Sequence, residues 1–316
     1  MASALRLRCT QFPTDRTVNL LLVFNPHAGG GRAAGQERAV IQALAPFARV
    51  ECHRTRGPGD ALEHLSGQPL TAYDGVVAAG GDGTLFEVVN GLCAHPAENR
   101  PLLGVLPVGT GNAFARDLGL QPGDWRGGIE LLRAGATRAL DVGRVESTGG
   151  DFHFLNIVGA GLPVAAMLTA ERLKPLGRSA YTAATLWQAL RCRSESFELE
   201  LDGERLRQDS LFVEIANTRY TGTSFLIAPE ARMDDGLFDV VLVRRLPRRR
   251  LLQLFPSIYS GTHVRYPEVS VQRAREVRIV APAGLPLAPD GELRGATPAT
   301  VRCLHRHVEV FAPAAN

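Results

Sequence analysis

An aspartate stands among glycines in Gly80-Gly81-Asp82-Gly83-Thr84, directly after the apolar run Val76-Val77-Ala78-Ala79. Glycines lose much conformational freedom on folding, and an acid between them adds nothing to a core. A segment of that kind points to a ligand or metal that needs the carboxylate. Two more loops share the design. Asn25-Pro26-His27-Ala28-Gly29-Gly30-Gly31-Arg32 follows the run Leu20–Phe24, and Pro107-Val108-Gly109-Thr110-Gly111-Asn112 precedes the helical run Ala113 to Leu118. Where a strand ends in glycines and a helix begins, free N–H groups and the helix dipole attract phosphate. The Thr110 hydroxyl and the Asn112 amide could hold phosphate or substrate, while the glycine triplet Gly29 to Gly31 reads equally well as a flexible turn. No G-x-x-x-x-G-K-[ST] occurs, no lysine stands at these loops, and no G-x-G-x-x-G follows the first strand. A Walker-type loop is thereby excluded and a dehydrogenase weakened.

Acids recur late in the chain. Asp290 and Glu292, separated only by Gly291 and preceded by Pro289, could turn toward one cavity or form a plain surface turn. Asp234-Asp235-Gly236 is open to the same two readings. Asp141, inside the apolar run Leu140 to Val142, is either a solvent-facing strand acid or a member of the same acidic network. Phosphoryl transfer needs positioned phosphates, a divalent ion across them and a carboxylate for the attacking hydroxyl. Mg²⁺ prefers such oxygen ligands, and Asp82 with Asp290 or Glu292 could supply them. The eight histidines show no metal spacing, and His305 and His307 are expected on a strand surface. No serine, histidine and aspartate set supports a hydrolase.

These residues need elements to hold them. From Leu20 to about Leu140 short apolar runs at Leu20–Phe24, Val50–His53, Val76–Ala79 and Leu103–Leu106 alternate with helical faces such as Val40, Ile41, Leu44, Phe47 and Leu85, Val88, Val89, Leu92. The pattern predicts a doubly wound α/β nucleotide-binding domain over 18–140. After Asp141 alternating strands follow at Phe152–Val158, Phe197–Leu201, Leu211–Ala216, Phe238–Val243 and Val277–Val280, with Asp202-Gly203 as a hairpin turn. Helical patterns cross Ser179 to Arg191 and Arg248 to Tyr259. A mainly β, sandwich-like domain is expected over 141–316, and the last run, Val308 to Phe311, could complete either domain. With 45% apolar and 21% charged residues and 33 glycines, 316 residues are an ordinary turn-rich α/β chain. A net charge of +3 fits phosphate-bearing substrates and gives no case for nucleic acid.

Taken together, Asn25-Pro26 with its glycines, Gly80 to Thr84, Pro107 to Asn112 with Ala115-Arg116, and Asp290-Gly291-Glu292 resemble the diacylglycerol kinase catalytic-domain family, which includes bacterial lipid kinases and sphingosine and ceramide kinases. The resemblance covers about Leu20 to Pro313. It implies a lipid kinase that uses ATP and Mg²⁺ to phosphorylate a lipid hydroxyl. Asn25, Pro26, His27, Ala28, Gly29, Thr55, Gly80, Gly81, Asp82, Gly83, Thr84, Leu85, Phe86, Thr110 and Asn112 match positions that hold the nucleotide, with Asp82 acting through the metal-nucleotide. Asp290 and Glu292 match the catalytic base and its support. Asp235 and the carbonyls of Arg232 and Leu237 match a second, structural Mg²⁺ site of bacterial members. Ala113 departs from the pattern, since bacterial diacylglycerol kinases usually carry an aspartate there. Alanine is similar to the sphingosine kinase version, so the lipid is a glycerolipid, a sphingoid base or a ceramide.

The five cysteines, Cys9, Cys52, Cys93, Cys192 and Cys303, are scattered and form no C-x-x-C pair, which argues for a reducing compartment. Without an apolar leader or an 18-residue apolar run, the expectation is a cytoplasmic protein with peripheral membrane contact. Arg244 to Arg250 ahead of Leu251, Leu252, Leu254 and Phe255 could face anionic lipid or be a solvated cluster on a buried helix. A homodimer stays open. The alternatives are a soluble NAD kinase-like enzyme, which shares a Gly-Gly-Asp-Gly loop, and a nucleotide-binding regulator without turnover. The late acids weigh against both.

Overall fold

Parallel strands buried on both faces form the first half of the molecule, seen in a computed structural model that describes residues 17–173, 180–191, 193–222 and 224–313. In chain order the elements are β1 (Val18–Phe24), α1 (Glu37–Leu44), β2 (Ala48–Arg54), α2 (Asp60–Ser66), β3 (Gly75–Gly80), α3 (Asp82–Cys93), β4 (Leu102–Pro107), α4 (Ala113–Asp117) and α5 (Trp125–Ala134). The strands lie in the order β2-β1-β3-β4, all parallel. Residues of β1 alternate between two cores. Leu21 and Val23 pack with Leu65, Leu85, Val88 and Leu92 of α2 and α3, while Leu20, Leu22 and Phe24 pack with Val40, Leu44, Ile129 and Leu132 of α1 and α5. Two covered faces explain why the strands read as unbroken apolar runs. This half is the doubly wound, Rossmann-like unit that the sequence predicts.

The second half contains β5 (Thr137–Ser147), β6 (Gly150–Phe154), β7 (Ile157–Gly161), α6 (Leu162–Arg172), α7 (Ala180–Arg191), β8 (Glu195–Leu201), β9 (Glu204–Ala216), β10 (Tyr220–Thr221), β11 (Phe225–Leu226), β12 (Phe238–Arg244), α8 (Arg248–Leu254), β13 (Val269–Ala274), β14 (Glu276–Ala281), β15 (Leu287–Pro289) and β16 (Ala299–Phe311). Phe154, Phe197, Val213, Ile215, Phe238 and Val240 fill its core. On the opposite face of β9 and β12, Phe212, Ala216, Val241 and Val243 pack against Leu162 and Ala189 of α6 and α7, with Leu251 of α8 beside them. The hairpin from β8 to β9 turns at Asp202-Gly203, with φ of 48° and 91°, as the sequence signals. Strand β16 pairs with β5 and β14 and, at Val310 opposite Leu103, with β4. It thereby joins both halves into one sheet.

Three details differ from the sequence reading, and two bounds are refined. The expected strand Phe152–Val158 is two strands, β6 and β7, broken at Leu155 and Asn156 because their N–H groups turn to the Asp290 carboxylate. A third helix, α6, follows Gly161, whose φ of 88° ends β7. The helical pattern Arg248 to Tyr259 is α8 followed by a tighter turn from Phe255, because Pro256 cannot continue the ladder. The pattern Ser179 to Arg191 is α7 from Ala180; Ser179, like Cys9 and Cys192, lies outside the described residues. The boundary drawn after Leu140 falls within β5.

Candidate active site

Loops leaving β1, β3 and β4 meet at the carboxyl edge of the parallel sheet. The Asn25 side chain donates to the Thr84 hydroxyl (2.9 Å) and accepts from the His27 N–H (2.9 Å), which ties the first loop to the second. The Gly109 N–H donates to the Gly80 carbonyl (2.9 Å), which ties the third to the second. Those chains approach so closely that a Cβ on Gly109 would lie 2.6 Å from the Gly81 Cα. Only glycine fits there, and the loop's composition follows from that contact rather than from flexibility.

Asp82 is the first residue of α3, and its carboxylate accepts the Ala113 N–H at the start of α4 (2.8 Å). The surrounding protein pushes its pKa up to about 7, chiefly by desolvation, with the Asp290 charge adding to the rise. Asp290 reaches the same place from the far end of the chain. It is buried, sits at φ 47°, and accepts N–H bonds from Leu155 (2.8 Å), Asn156 (2.9 Å) and Ile157 (3.0 Å). Desolvation raises it to about 6 against the pull of those three donors. Glu292 lies over the start of α3, so close to Gly83 that a Cβ there would strike its carboxylate.

The result is a cleft of 680 Å³ lined by Asn25, His27, Ala28, Gly29, Thr55, Gly81, Asp82, Gly83, Thr84, Thr110, Asp290 and Glu292 among others. Of the remaining residues matched to the nucleotide, Gly80 ends β3, Leu85 and Phe86 are core residues of α3, Pro26 is buried in the first loop, and Asn112 is buried with its amide on the Gly109 carbonyl (2.8 Å). These five shape the cleft without lining it. Asp82 and Asp290 also line a narrow throat with Asn156, Pro163, Met167, Glu214 and Tyr220. Beyond it lies an apolar cavity walled by Leu162, Phe212, Phe225, Leu251, Phe255 and Ile258, in which Pro163, Glu214 and Thr221 recur. A polar cleft, a throat with three carboxyl groups and an apolar cavity therefore share lining residues in sequence along one path.

The Arg232 to Leu237 turn lies elsewhere, before β12. Asp235 accepts the Leu237 N–H (3.1 Å) and pairs closely with Arg273, which also reaches Asp239 (3.2 Å). A guanidinium thus meets the carboxylate assigned to a second cation. Asp141 is fully buried rather than solvent-facing. It accepts from Gly236 N–H (2.6 Å) and Arg306 N–H (2.7 Å) and bonds His305 Nδ1 (2.8 Å), pinning that turn to β16. His305 is exposed, as expected of a strand surface, yet bound to Asp141. His307 instead packs inward, and its ring nitrogen lies with His153 and the Cys93 thiol in a group whose ligand atoms fall within 4.8 Å of one another. No sequence spacing could show that group, since the three residues come from α3, β6 and β16.

Reasoning from sequence missed Glu214, although the signal was present: one acid inside Leu211-Phe212-Val213-Glu214-Ile215-Ala216. It also missed Asn156, whose N–H orients Asp290.

Comparison with known proteins gives one consistent result. Residues 19–145 match the model of a diacylglycerol kinase catalytic domain. Residues 156–312 match the YegS C-terminal NAD kinase beta sandwich-like domain. Diacylglycerol kinase of Bacillus subtilis strain 168 is 30% identical over 295 residues, 92% of this chain and 95% of that protein. The diacylglycerol kinase of Staphylococcus aureus strain bovine RF122 is also 30% identical, over 92% of this chain and 91% of its own. A crystal structure of a candidate diacylglycerol kinase from Bacillus anthracis strain Sterne superposes with a TM-score of 0.79 at 25% identity, covering 96% of this chain and 99% of that one.

Proposed function

The chain belongs to the diacylglycerol kinase family, and on that premise we propose that it transfers the γ-phosphate of ATP, with Mg²⁺, to the hydroxyl of a lipid. One observation carries the reading: Asp82 and Asp290 line both the polar cleft and the throat that opens toward the apolar cavity. Carboxylates therefore stand where a phosphate donor and an apolar-tailed acceptor can meet.

The donor set fits a divalent cation. The Asp290 charge raises the cost of ionising Asp82, and Glu292 that of ionising Asp290, with no lysine or arginine among the described residues lining the throat; a divalent cation would relieve that repulsion. Asp82 and Glu292 are the residues that would hold it with the nucleotide, where it would neutralise phosphate charge. The chain's own groups do the rest. Backbone N–H groups of the three loops and the start of α3 orient phosphate. Asp290, fixed by three N–H donors, accepts the proton of the attacking hydroxyl, and the throat keeps that hydroxyl in line with the cleft.

Access from a membrane surface is supported at the rim of the apolar cavity. Leu168 of α6, Leu186 and Trp187 of α7, Leu252 of α8 and Tyr259 are exposed on elements whose other residues wall that cavity. Arg248 and Arg249 border them at the start of α8, suited to anionic headgroups. No helix among the described residues is long and apolar enough to cross a membrane. The deciding experiment compares ATP consumption by the purified protein with lipid vesicles, with NAD and with neither. Turnover only with vesicles is expected; turnover only with NAD would overturn the reading.

A further inference from the structure

Glu214 is the one acid on the inner run of β9, between Val213 and Ile215, and it is 3% exposed. Its Oε2 has no hydrogen-bond partner. A buried carboxyl left so is costly, and a leucine would pack in its place. The strand opposite makes room for it: Gly159 of β7 pairs with Glu214, and a Cβ there would lie 3.3 Å from its Cγ. An unpartnered polar group on a face that is otherwise apolar needs a ligand to explain it.

Its position says where such a ligand sits. Glu214 lines both the throat and the apolar cavity, while Asp82 and Asp290 line the throat's other end. A lipid entering the throat hydroxyl first sets its chains among Leu162, Phe212, Leu251 and Ile258. The atoms next to its hydroxyl then lie beside Glu214.

The groups facing Glu214 determine its charge. Asp82, Asp290 and Tyr220 share the throat, and His263 stands across the apolar cavity with Nε2 against the Ile227 carbonyl (3.0 Å). No lysine or arginine is among the described residues lining either space. Burial alone pushes the carboxyl up to about 8, so near pH 7 it carries its proton and can donate.

We propose that Glu214 is a substrate-positioning residue whose carboxylic acid O–H donates a hydrogen bond to an acyl carbonyl adjacent to the reacting hydroxyl. The substrate is then an acylated hydroxylipid, not a lipid with a free amine. This rests on the lipid-kinase reading above and adds a recognised group to it.

The full-length protein tests the assignment with dioleoylglycerol, its dialkyl ether analogue, ceramide and sphingosine in mixed micelles. Glu214→Gln keeps an N–H donor and is expected to stay within about threefold of the parent on dioleoylglycerol. Glu214→Leu is expected to lose about tenfold in kcat/KM, the scale of one hydrogen bond. It should lose nothing on the ether analogue, which has no carbonyl. Above pH 8 the parent should fall toward the leucine variant while the glutamine variant does not, because an ionised Glu214 cannot donate. The better substrate of dioleoylglycerol and ceramide identifies whether the carbonyl is an ester or an amide. Equal loss on both glycerolipids would overturn the proposal, and so would turnover of sphingosine that disappears in Glu214→Gln, which would mean an ammonium partner. Binding of a fluorescent dioleoylglycerol without ATP reads the same contact independently of turnover. If no lipid is phosphorylated but binding still weakens in Glu214→Leu alone, the kinase reading fails and the carbonyl contact stands. Unfolding also has a sign: folded Glu214 resists ionisation, so the parent loses stability as pH rises from about 4.5 to 8. Glu214→Leu should therefore gain more in Tm at pH 8 than at pH 5.

Discussion

Asp82 and Asp290 come from positions 208 residues apart in the sequence and meet at one throat, each with its carboxylate oriented by main-chain N–H groups. In the proposed reaction such groups would serve catalysis at a cost to the fold, because both resist ionisation. Asp82→Asn is therefore expected to abolish phosphorylation while holding or raising Tm near pH 7. Asp290→Asn should reduce kcat and kcat/KM together by about 10²- to 10⁴-fold, with little change in ATP affinity, because it acts on the hydroxyl side. Its raised pKa also predicts a rising limb of kcat/KM near pH 6, since the base works ionised. Steady-state kinetics from pH 5 to 9 with circular dichroism and thermal melts of each variant check both; near-parental kcat in Asp290→Asn would move the base elsewhere. Asp82 was legible in the sequence because three glycines around one acid have little other use. Asp290 was legible only through the resemblance, since Asp-Gly-Glu after a proline reads equally well as a turn. Its partners were not legible at all, because they are main-chain N–H groups of Leu155, Asn156 and Ile157, and main-chain donors leave no mark in residue type.

At the scale of elements, the site depends on how closely three loops pack. Gly109→Ala places a methyl 2.6 Å from the Gly81 Cα, where only backbone can yield, so the third loop must move off the second. A displacement of about 1 Å at the phosphate loops is expected to raise KM for ATP and lower kcat by up to about 10²-fold, read by initial rates. Unchanged kinetics would show that the two loops work independently. A second element-level test concerns the turn before β12. Arg273 neutralises Asp235 and Asp239 together, and Arg273→Ala leaves those carboxylates facing one another. It should lower Tm, and millimolar Mg²⁺ should restore part of the loss if Asp235, with the Arg232 and Leu237 carbonyls, is a metal ligand. Melting curves that ignore Mg²⁺ would remove the second cation site. The strand pattern was legible where burial on two faces or a hairpin left a clear period. It failed at Leu155-Asn156, because a strand broken by hydrogen bonds to a distant carboxylate keeps its apolar residues.

For the whole molecule, β16 is what makes two halves one body, and the sequence left its placement open because an apolar run says that it is buried, not beside which neighbour. Its pairing with β4 carries the β-rich half, and the helices α6, α7 and α8 above the apolar cavity, to the carboxyl edge of the parallel sheet. If the substrate is a membrane lipid, as proposed, that arrangement selects the side of the molecule carrying α6, α7 and α8 as the one to face it. The exposed Leu168, Leu186, Trp187 and Leu252 lie on the helices that cover the cavity, and Tyr259, which packs edge-on against Phe225 and Phe255, is exposed beside them. Arg191 stacks over Trp187 at 4.9 Å, so the patch combines apolar area with positive charge. If the rim docks on lipid, its loss should affect the interface and spare the chemistry. The double change Trp187→Ser and Leu252→Ser is therefore expected to reduce sedimentation with anionic vesicles by about tenfold, since each large side chain removed from the interface forfeits roughly 1.5–3 kcal/mol at most. Phosphorylation of a short-chain, water-soluble diglyceride should change less than about twofold, and Tm should hold because both side chains are exposed. Raised salt should weaken vesicle binding of the parent and the variant in parallel, as the arginines remain in both. A variant that keeps vesicle binding would place the membrane contact on another face, and one that loses short-chain turnover equally would make the patch part of the fold instead.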